Sequence, residues 1–320
     1  PISNKNIFIT GSTGIVGKPL LKKLIENEHN VFALARSKNS VKKLEREKVS
    51  IVDGDILSDD LGKQLKSKNI DAIFHVAGVN KMCIKNPEQM FKANIEGTKN
   101  ILKLGNELGI KKFVYTSSAV TLGEEHLKVG NEDASHRGYF LSKYEESKFI
   151  AEEEAFKLKK NYEFVSVNPS SVQGPGRVSG TAKLLISTLN KNYPFLIKNN
   201  ISVVDIDDCT DGHYNALLYG KDNNRYVLNS FQTSSEDLIN KLKTHTDNLN
   251  DVADYGKFRR IILDVINSKH FNLIETLADN LIKKIENLQN NEDEVPHVFL
   301  EKLLSGSQET INYTDLLTNE

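Results

Sequence analysis

The segment Thr10-Gly11-Ser12-Thr13-Gly14-Ile15-Val16-Gly17 is the most informative part of the chain, because an apolar run precedes it and a segment of helical periodicity follows it. In a strand–turn–helix unit, Gly11 allows the tight turn, Gly14 lets backbone N–H groups approach a diphosphate, and Gly17 lets the helix pack closely on the sheet. The positive N-terminus of the helix then holds the anion. We therefore predict that the loop from Gly11 to Gly17 binds a dinucleotide, the alternative being an ordinary glycine-rich turn.

Short apolar runs and longer helix-like segments alternate along the first half of the chain. The candidate strands lie at residues 6–10, 30–34, 49–52, 72–76, 113–116 and 164–167. Such alternation is typical of parallel strands joined by crossover helices. It predicts an α/β fold with a Rossmann-type, doubly wound parallel sheet.

The second half of the chain has a different character. A loop rich in glycine and serine follows Pro169, strand-like runs return near Val203 and Tyr226, and from about Ser230 polar segments carry apolar stripes at helical spacing. We expect a nucleotide-binding domain of residues 1–169 plus 203–230. Residues 170–202 plus 231–320 would form a smaller, mostly helical C-terminal lobe that binds the substrate, with an exposed loop at 287–294.

Bulk composition argues against several classes of protein. The 320 residues carry 42 Lys and Arg against 43 Asp and Glu, without a long block of one sign, so no nucleic-acid partner is expected. The only cysteines, Cys83 and Cys209, suit neither a disulfide framework nor a metal site. We recognise neither an export signal nor a run of about 18 apolar residues. The expected location is the reducing cytoplasm, away from membranes.

The end of the second predicted strand selects the dinucleotide. A carboxylate there would bind the 2′-hydroxyl of the adenosine ribose, whereas a cation would suit a 2′-phosphate. This chain has Ala35 at that position, with Arg36 and Lys38 beside it. NADP(H) is therefore favoured, with NAD as the alternative if Arg36 is merely solvated. After the third strand Asp55, followed by Ile56, could accept a hydrogen bond from the adenine amino group or cap a helix.

Two motifs with hydroxyl groups follow further along the chain. Ser117-Ser118-Ala119 ends the fifth predicted strand, and two consecutive Tyr-x-x-Ser-Lys segments come next, Tyr139 to Lys143 and Tyr144 to Lys148. With the glycine loop, they resemble the Ser-Tyr-Lys triad of the extended short-chain dehydrogenase/reductases, a superfamily that includes the NAD-dependent epimerases and dehydratases. The resemblance implies an enzyme with a nicotinamide dinucleotide cofactor.

The flanking residues choose between the two tyrosines. The family pattern Tyr-x-x-Ser-Lys-x-x-Ala-Glu is matched in full by the second segment, which continues to Glu152. The resemblance therefore implies Tyr144 and Lys148 as catalytic residues, with Tyr139 and Lys143 as the alternative.

The family's Ser-Ser-Ala pattern implies Ser118 as the third catalytic residue, with Ser117 as the fallback. In such a triad the tyrosine protonates the carbonyl oxygen as hydride reaches the carbon, and the serine polarises the carbonyl group. The lysine ammonium favours the ionised form of the tyrosine and holds the nicotinamide ribose, so Tyr144 and Lys148 would both contact the cofactor as well.

Further residues match positions that border the cofactor in this superfamily. Asn94 would organise its helix and a proton-relay water, unless it is a buried structural residue. His75 is expected to be a packed strand residue rather than a base. The other implied cofactor contacts are Val76, Ala77, Gly78, Thr116, Pro169, Ser171 and Val172.

Within the superfamily, the segments 176–180, 204–208 and 224–228 resemble the dihydroflavonol-4-reductase-like branch. The likeness extends over residues 5–245 and is lost in residues 246–320. It implies NADPH-dependent reduction of a carbonyl group on a small organic substrate, in a pocket lined by residues 120–128 and 179–198. The alternatives are a nucleotide-sugar epimerase or dehydratase that retains its NAD(P), and a non-catalytic NADP-binding sensor or docking protein. Apart from the substrate, the one possible partner is a second copy of the chain in a homodimer.

Overall fold

The computed structural model describes residues 4–44, 49–81, 86–125, 128–174, 177, 180–183, 200–235 and 237. These residues divide into two compact units. The first contains the described residues up to Val172 together with Ile206–Ser230, and the second contains those of 173–205 and from 231 onward. The helical lobe expected in 246–320, the loop at 287–294, Cys83 and most of 176–198 lie outside the described residues.

The strands of the described residues are, in chain order, β1 Asn6–Thr10, β2 Asn30–Ala35, β3 Ser50–Asp53, β4 Ala72–His75, β5 Lys112–Thr116, β6 Glu163–Pro169, β7 Ser171–Gln173, β8 Asn200–Asp205, β9 Asn224–Leu228 and β10 Phe231–Ser234. The α-helices are α1 Gly17–Glu26, α2 Lys38–Leu44, α3 Leu61–Leu65, α4 Glu88–Phe91, α5 Gly97–Leu108, α6 Lys143–Lys157 and α7 Ile206–Tyr219. A π-helical turn, Lys92–Glu96, joins α4 to α5, and 3-10 turns lie at Lys66–Lys68 and Ala119–Leu122.

The first unit is built on a parallel sheet of seven described strands in the order β3-β2-β1-β4-β5-β6-β9. The order reverses between β1 and β4, which is the point where an open α/β sheet forms a crevice for ligands at the carboxyl ends of its strands. The predicted α/β class and doubly wound sheet are confirmed. The seventh strand, β9, contains the strand-like run expected near Tyr226 and pairs in parallel with β6, with Arg225 opposite Ser166.

Alternate side chains of the strands enter two hydrophobic layers, one on each face of the sheet. Ile7 and Ile9 face the layer that contains Leu20 and Leu24 of α1. Phe8 faces the opposite layer, with residues of α3 and α5. Because both faces are covered, the inner residues of the central strands are mostly apolar, which is why these strands could be recognised as continuous apolar runs.

The second unit contains an antiparallel pair of strands, β8 and β10, with Val203 opposite Phe231. The predicted domain boundary placed residues from 203 onward in the nucleotide-binding domain, whereas β8 belongs to the second unit as far as Asp205. The reason is the pairing with β10, which local sequence does not reveal. Among the helices that the structure describes, none is both long and apolar enough to span a membrane.

Candidate active site

The glycine loop forms a tight turn between β1 and α1. Gly11 has a φ of +71°, in the left-handed region, and a Cβ atom at this position would lie 2.6 Å from the backbone nitrogen of Ala77. A Cβ atom at Gly17 would overlap the backbone of Gly11. The Gly14 N–H donates to the Gly11 carbonyl at 3.0 Å. Side chains are therefore excluded at the switch point, where the loops after β1 and β4 touch.

The same loop offers unsatisfied donors to an anion. The Ser12 side chain is buried, yet its hydroxyl has no hydrogen-bond partner among the described residues. Helix α1 has no side-chain cap at Val16 and no acidic residue in its first turn. A buried orphan hydroxyl beside an uncapped helix N-terminus fits the diphosphate of a dinucleotide. Thr13 and Ile15 lie in the same turn.

The end of β2 carries the cationic group expected at an adenosine 2′-phosphate. Ala35 is buried, and Arg36 is 76% exposed in its side chain, with Nε 3.8 Å from Asp55 Oδ2. Asp55 Oδ1 accepts a hydrogen bond from the Leu57 N–H at 3.0 Å, which makes a turn rather than a helix cap. Lys38 begins α2. The neighbouring Ile56 is buried in the hydrophobic layer that contains Phe8.

Helix α6 separates the two candidate tyrosines. It begins at Lys143, and its N-cap Ser142 accepts a hydrogen bond from the Glu145 N–H at 3.1 Å. Tyr139 therefore precedes the helix and is 59% exposed, whereas Tyr144 lies within it and is 8% exposed. Lys143 pairs with Glu146 on the exposed face at 2.8 Å. The geometry thus favours the second Tyr-x-x-Ser-Lys segment.

Lys148 is buried on the same face of α6 as Tyr144. Its Nζ donates to Tyr115 Oη and to the backbone oxygen of Thr116, both at 2.9 Å. An ammonium group has three N–H donors, so within the described part of the chain one is left for a ligand such as a ribose hydroxyl. Burial lowers the pKa of Lys148 to about 8, while the charge of Glu152 opposes that shift.

The two serines after β5 have different surroundings. The Ser117 hydroxyl donates to the buried carboxylate of Glu152. Ser118 is the N-cap of the 3-10 turn Ala119–Leu122, and its hydroxyl accepts from the Val120 N–H at 3.5 Å, the limit of a hydrogen bond. Because Ser117 is committed to a carboxylate, Ser118 is the serine that has a hydroxyl available for a substrate.

A chain of hydrogen bonds runs behind the site from β1 to α6. His75 Nδ1 lies 2.8 Å from Thr10 Oγ1, and its Nε2 lies 3.1 Å from Thr98 Oγ1. Burial lowers the pKa of His75 to about 3, so the ring is neutral, as expected of a packed strand residue. Asn94 Nδ2 donates to Ser147 Oγ at 2.9 Å and to the Val79 oxygen at 3.1 Å.

Both amide hydrogens of Asn94 are thus used within the protein, and its oxygen accepts the Val79 N–H at 2.8 Å. This favours the structural role of Asn94 over direct contact with a cofactor. It connects Val79, which follows the loop Val76-Ala77-Gly78, to Ser147 of α6. It also lies in the π-helical turn, a feature that often occurs at functional sites.

The remaining residues implied to border the cofactor follow the next two strands. Thr116 ends β5, and its hydroxyl lies 3.0 Å from Nε2 of the buried His213. Pro169 ends β6, while Ser171 and Val172 belong to β7. The carboxyl ends of β1, β4, β5 and β6 are adjacent in the sheet, so the structure gathers these positions along one edge.

Sequence reasoning missed the polar residues that surround Glu152, namely Thr121, Asn168 and Arg225. The one available signal was Glu152 itself, the last residue of the tyrosine–lysine pattern.

The strand order, the glycine loop at the switch point, and a tyrosine and lysine buried on one helix define a nicotinamide-dinucleotide enzyme of the Rossmann class. The chain belongs to the NAD dependent epimerase/dehydratase family, whose sequence profile matches residues 7–228. The predicted superfamily and the expectation of an enzyme are confirmed.

Relatives of known name have different activities. The chain is 29% identical over 252 residues to a putative dihydroflavonol 4-reductase of Synechocystis sp., covering 75% of this chain and 72% of that protein. It is 30% identical over 201 residues to a putative UDP-glucose 4-epimerase of Methanocaldococcus jannaschii, covering 60% of this chain and 65% of that protein, less than two thirds of its length. Its fold matches Gre2 of Candida albicans, solved in complex with NADPH, with a TM-score of 0.67 and 19% identity, over 90% of this chain and 100% of that one.

Proposed function

We propose that the protein reduces a ketone or aldehyde group on a small organic substrate, with NADPH as the hydride donor and Ser118, Tyr144 and Lys148 as catalytic residues. One observation carries the proposal. Tyr144 and Lys148 are buried on one face of α6, next to the turn in which Ser118 has an available hydroxyl. The similarity to a putative dihydroflavonol 4-reductase supports the direction of the reaction.

Each residue has a separate task in this reaction. NADPH, when bound, supplies the hydride. The Tyr144 hydroxyl donates a proton to the carbonyl oxygen, and the Ser118 hydroxyl donates a hydrogen bond to the same oxygen. Lys148, held by Tyr115 and Thr116, presents its remaining N–H to the nicotinamide ribose and stabilises the tyrosinate that is left behind.

The preference for NADPH over NADH rests on Arg36. Its guanidinium group is exposed at the end of β2, where the buried Ala35 offers no carboxylate to a ribose hydroxyl. A guanidinium can pair with a 2′-phosphate through two parallel hydrogen bonds. Asp55 lies close enough to orient Arg36, which is a second way for Asp55 to serve the adenosine end of the cofactor.

A second candidate function is epimerisation or dehydration of a nucleotide sugar with a retained dinucleotide. The 30% identity to a putative UDP-glucose 4-epimerase favours it. The same triad would serve both reactions, so the catalytic residues do not discriminate between them. The exposed Arg36 favours the reductase, because an enzyme that keeps NAD has no use for a 2′-phosphate site.

The deciding experiment identifies the bound cofactor and then tests turnover. Purified protein is denatured, and any released dinucleotide is identified by mass spectrometry. Carbonyl compounds are then screened for oxidation of NADPH, with Lys148→Met as the matched inactive variant. We expect no stoichiometric NAD and a carbonyl-dependent loss of NADPH absorbance that Lys148→Met lacks. Stoichiometric NAD and turnover of a UDP-sugar would establish the epimerase instead, and tight NADPH binding without any turnover would indicate a sensor or docking protein.

The substrate is proposed to be a small molecule. A homodimer and a cytoplasmic location remain predictions from the sequence. Sedimentation of the purified protein would test the first, and localisation of the native protein in cells would test the second.

A further inference from the structure

A buried carboxylate lies one helical turn beyond Lys148. Glu152 is 1% exposed, and its Oε2 lies 2.7 Å from Thr121 Oγ1 and 2.8 Å from Asn168 Nδ2. The Ser117 hydroxyl donates to the same oxygen. Removing a carboxylate from water costs free energy, which the surrounding donors offset only in part. A role other than stability is therefore expected for this buried charge.

The charge of Glu152 is balanced from a distant part of the chain. Arg225 Nε lies 2.6 Å from Glu152 Oε1, and the Arg225 guanidinium stands 5.8 Å from the ring centroid of Phe156. Arg225 lies on β9, the seventh strand of the sheet, and its side chain is 18% exposed. A buried ion pair adds little net stability compared with apolar residues, so specificity of position is the better explanation.

The partners of Glu152 also hold Ser118. Asn168 Nδ2 lies 3.2 Å from the backbone oxygen of Ser118, and Thr121 Oγ1 lies 2.9 Å from it. Ser117, which precedes Ser118, is bound to Glu152 directly. The carboxylate therefore connects the serine turn to the same face of α6 that carries Tyr144 and Lys148.

We propose that Glu152 and Arg225 form a positioning pair that fixes Ser118 relative to Tyr144 and Lys148. The inference rests on the proposed function, since it assigns to the pair the alignment of that triad. Neither residue is expected to touch the substrate or the cofactor.

Glu152 also affects the charge of Lys148. Among the described residues, Tyr115 of β5 contacts this ammonium, and His75 of β4 and Glu152 of α6 are coupled to it electrostatically, while Tyr144 lies one turn before it on α6. His75 is neutral, and burial raises the pKa of Tyr115, so Tyr115 is neutral too. Glu152 is thus the one described anion that favours the protonated form of Lys148 against the effect of burial.

The test uses three variants of the full chain. Glu152→Gln keeps the shape and removes the charge, Glu152→Asp keeps the charge and shortens the side chain, and Glu154→Gln is the control on the same helix. Glu154 is partly exposed and pairs with Lys99 at 3.5 Å. The readouts are kcat and KM for carbonyl reduction as a function of pH.

We expect Glu152→Gln to move the alkaline limb of the kcat profile down by about one pH unit, because Lys148 loses its proton earlier. Glu152→Asp should retain the limb and lose kcat by roughly 10- to 100-fold, because the serine turn shifts. KM for the carbonyl substrate should change little in either variant. Glu154→Gln should match the wild type.

A second readout does not depend on turnover. The Lys148 side chain is titrated by NMR in protein with ¹³C-labelled lysine, its signal being assigned by loss in Lys148→Met. A lower pKa of Lys148 in Glu152→Gln supports the proposed pair even if no carbonyl compound is reduced. Absence of carbonyl reduction would contradict the proposed function alone. If Glu152→Gln leaves kcat, the alkaline limb of the kcat profile and the pKa of Lys148 unchanged, the positioning role of Glu152 and Arg225 is overturned. If Glu152→Gln does not fold, Glu152→Gln/Arg225→Gln, which buries no unpaired charge, replaces it with the same criteria.

Discussion

Replacing Gly11 with alanine tests the close approach of the two loops at the switch point. Gly11 has a φ of +71°, and the new Cβ atom would lie 2.6 Å from the nitrogen and 2.8 Å from the Cα atom of Ala77. Both neighbours are backbone atoms, so no side-chain rotation can relieve the overlap. The loop after β1 and the loop after β4 must therefore move apart, and the phosphate-binding turn changes shape.

The magnitude follows from two contributions. A side chain in the left-handed region costs about 1–2 kcal/mol, offset by about 0.4–1 kcal/mol because alanine restricts the unfolded chain. Forcing a methyl group into packed backbone adds about 1–3 kcal/mol. The sum is a loss of about 1–5 kcal/mol in the free energy of unfolding, or roughly 2–20 °C in Tm for a unit of this size.

Gly109 provides the matched control. It directly follows α5 as the C-cap residue, with a φ of +63°, and a Cβ atom there would meet nothing within 4 Å. Gly109→Ala should therefore show the backbone contribution alone, about 1 kcal/mol or less. Unfolding is followed in urea, and NADPH binding by the fluorescence of the reduced cofactor. We expect Gly11→Ala to weaken NADPH binding by about tenfold or more, with Gly109→Ala unaffected. Equal stability and equal NADPH affinity in the two variants would refute the reasoning.

Three further predictions concern the cofactor preference and the buried polar chain. Arg36→Ala should weaken NADPH binding by about 10- to 100-fold and leave NADH binding unchanged, as comparison of the two Kd values checks. Folding lowers the pKa of His75 to about 3, so between about pH 6 and pH 4 the imidazole is protonated in the unfolded chain only. The free energy of unfolding should therefore fall by about 1.4 kcal/mol for each pH unit of acidification, and His75→Gln should remove that slope in urea titrations. Asn94→Ala should lower the free energy of unfolding by about 2–4 kcal/mol, because Val79 and Ser147 lose buried partners.

Periodicity made the sheet predictable. Each of the first six strands contributes apolar side chains to the layers on both faces of the sheet, so its apolar run is visible in the local sequence. Strand β9 is only partly buried, and its partner β6 lies far back along the chain. Helix α7 was not recognised because its buried face contains Cys209 and His213, which dilute the apolar stripe. Pairings and faces of this kind are decided by tertiary contacts.

The candidate site was predictable where one motif supplies all its members. The glycine loop and the segment from Tyr144 to Glu152 are contiguous in the chain. The role of the loop could be hypothesised from its place between a strand and a helix, and the roles in the second segment from its resemblance to the family pattern. The connection between Glu152 and Arg225 joins α6 to β9, and no local pattern links them. The difference in burial between Tyr139 and Tyr144 depends on where α6 begins, a boundary that Ser142 sets by capping the helix.

In the proposed reaction, Tyr144 is the proton donor of an NADPH-dependent carbonyl reduction. The most direct test compares kcat for NADPH oxidation in Tyr144→Phe and Tyr139→Phe, on a carbonyl compound that the wild type reduces, with NADPH affinity measured in parallel. We predict that Tyr144→Phe loses at least about 100-fold in kcat while it still binds NADPH, and that Tyr139→Phe keeps most of its activity. Full activity in Tyr144→Phe, with loss in Tyr139→Phe, would contradict the account.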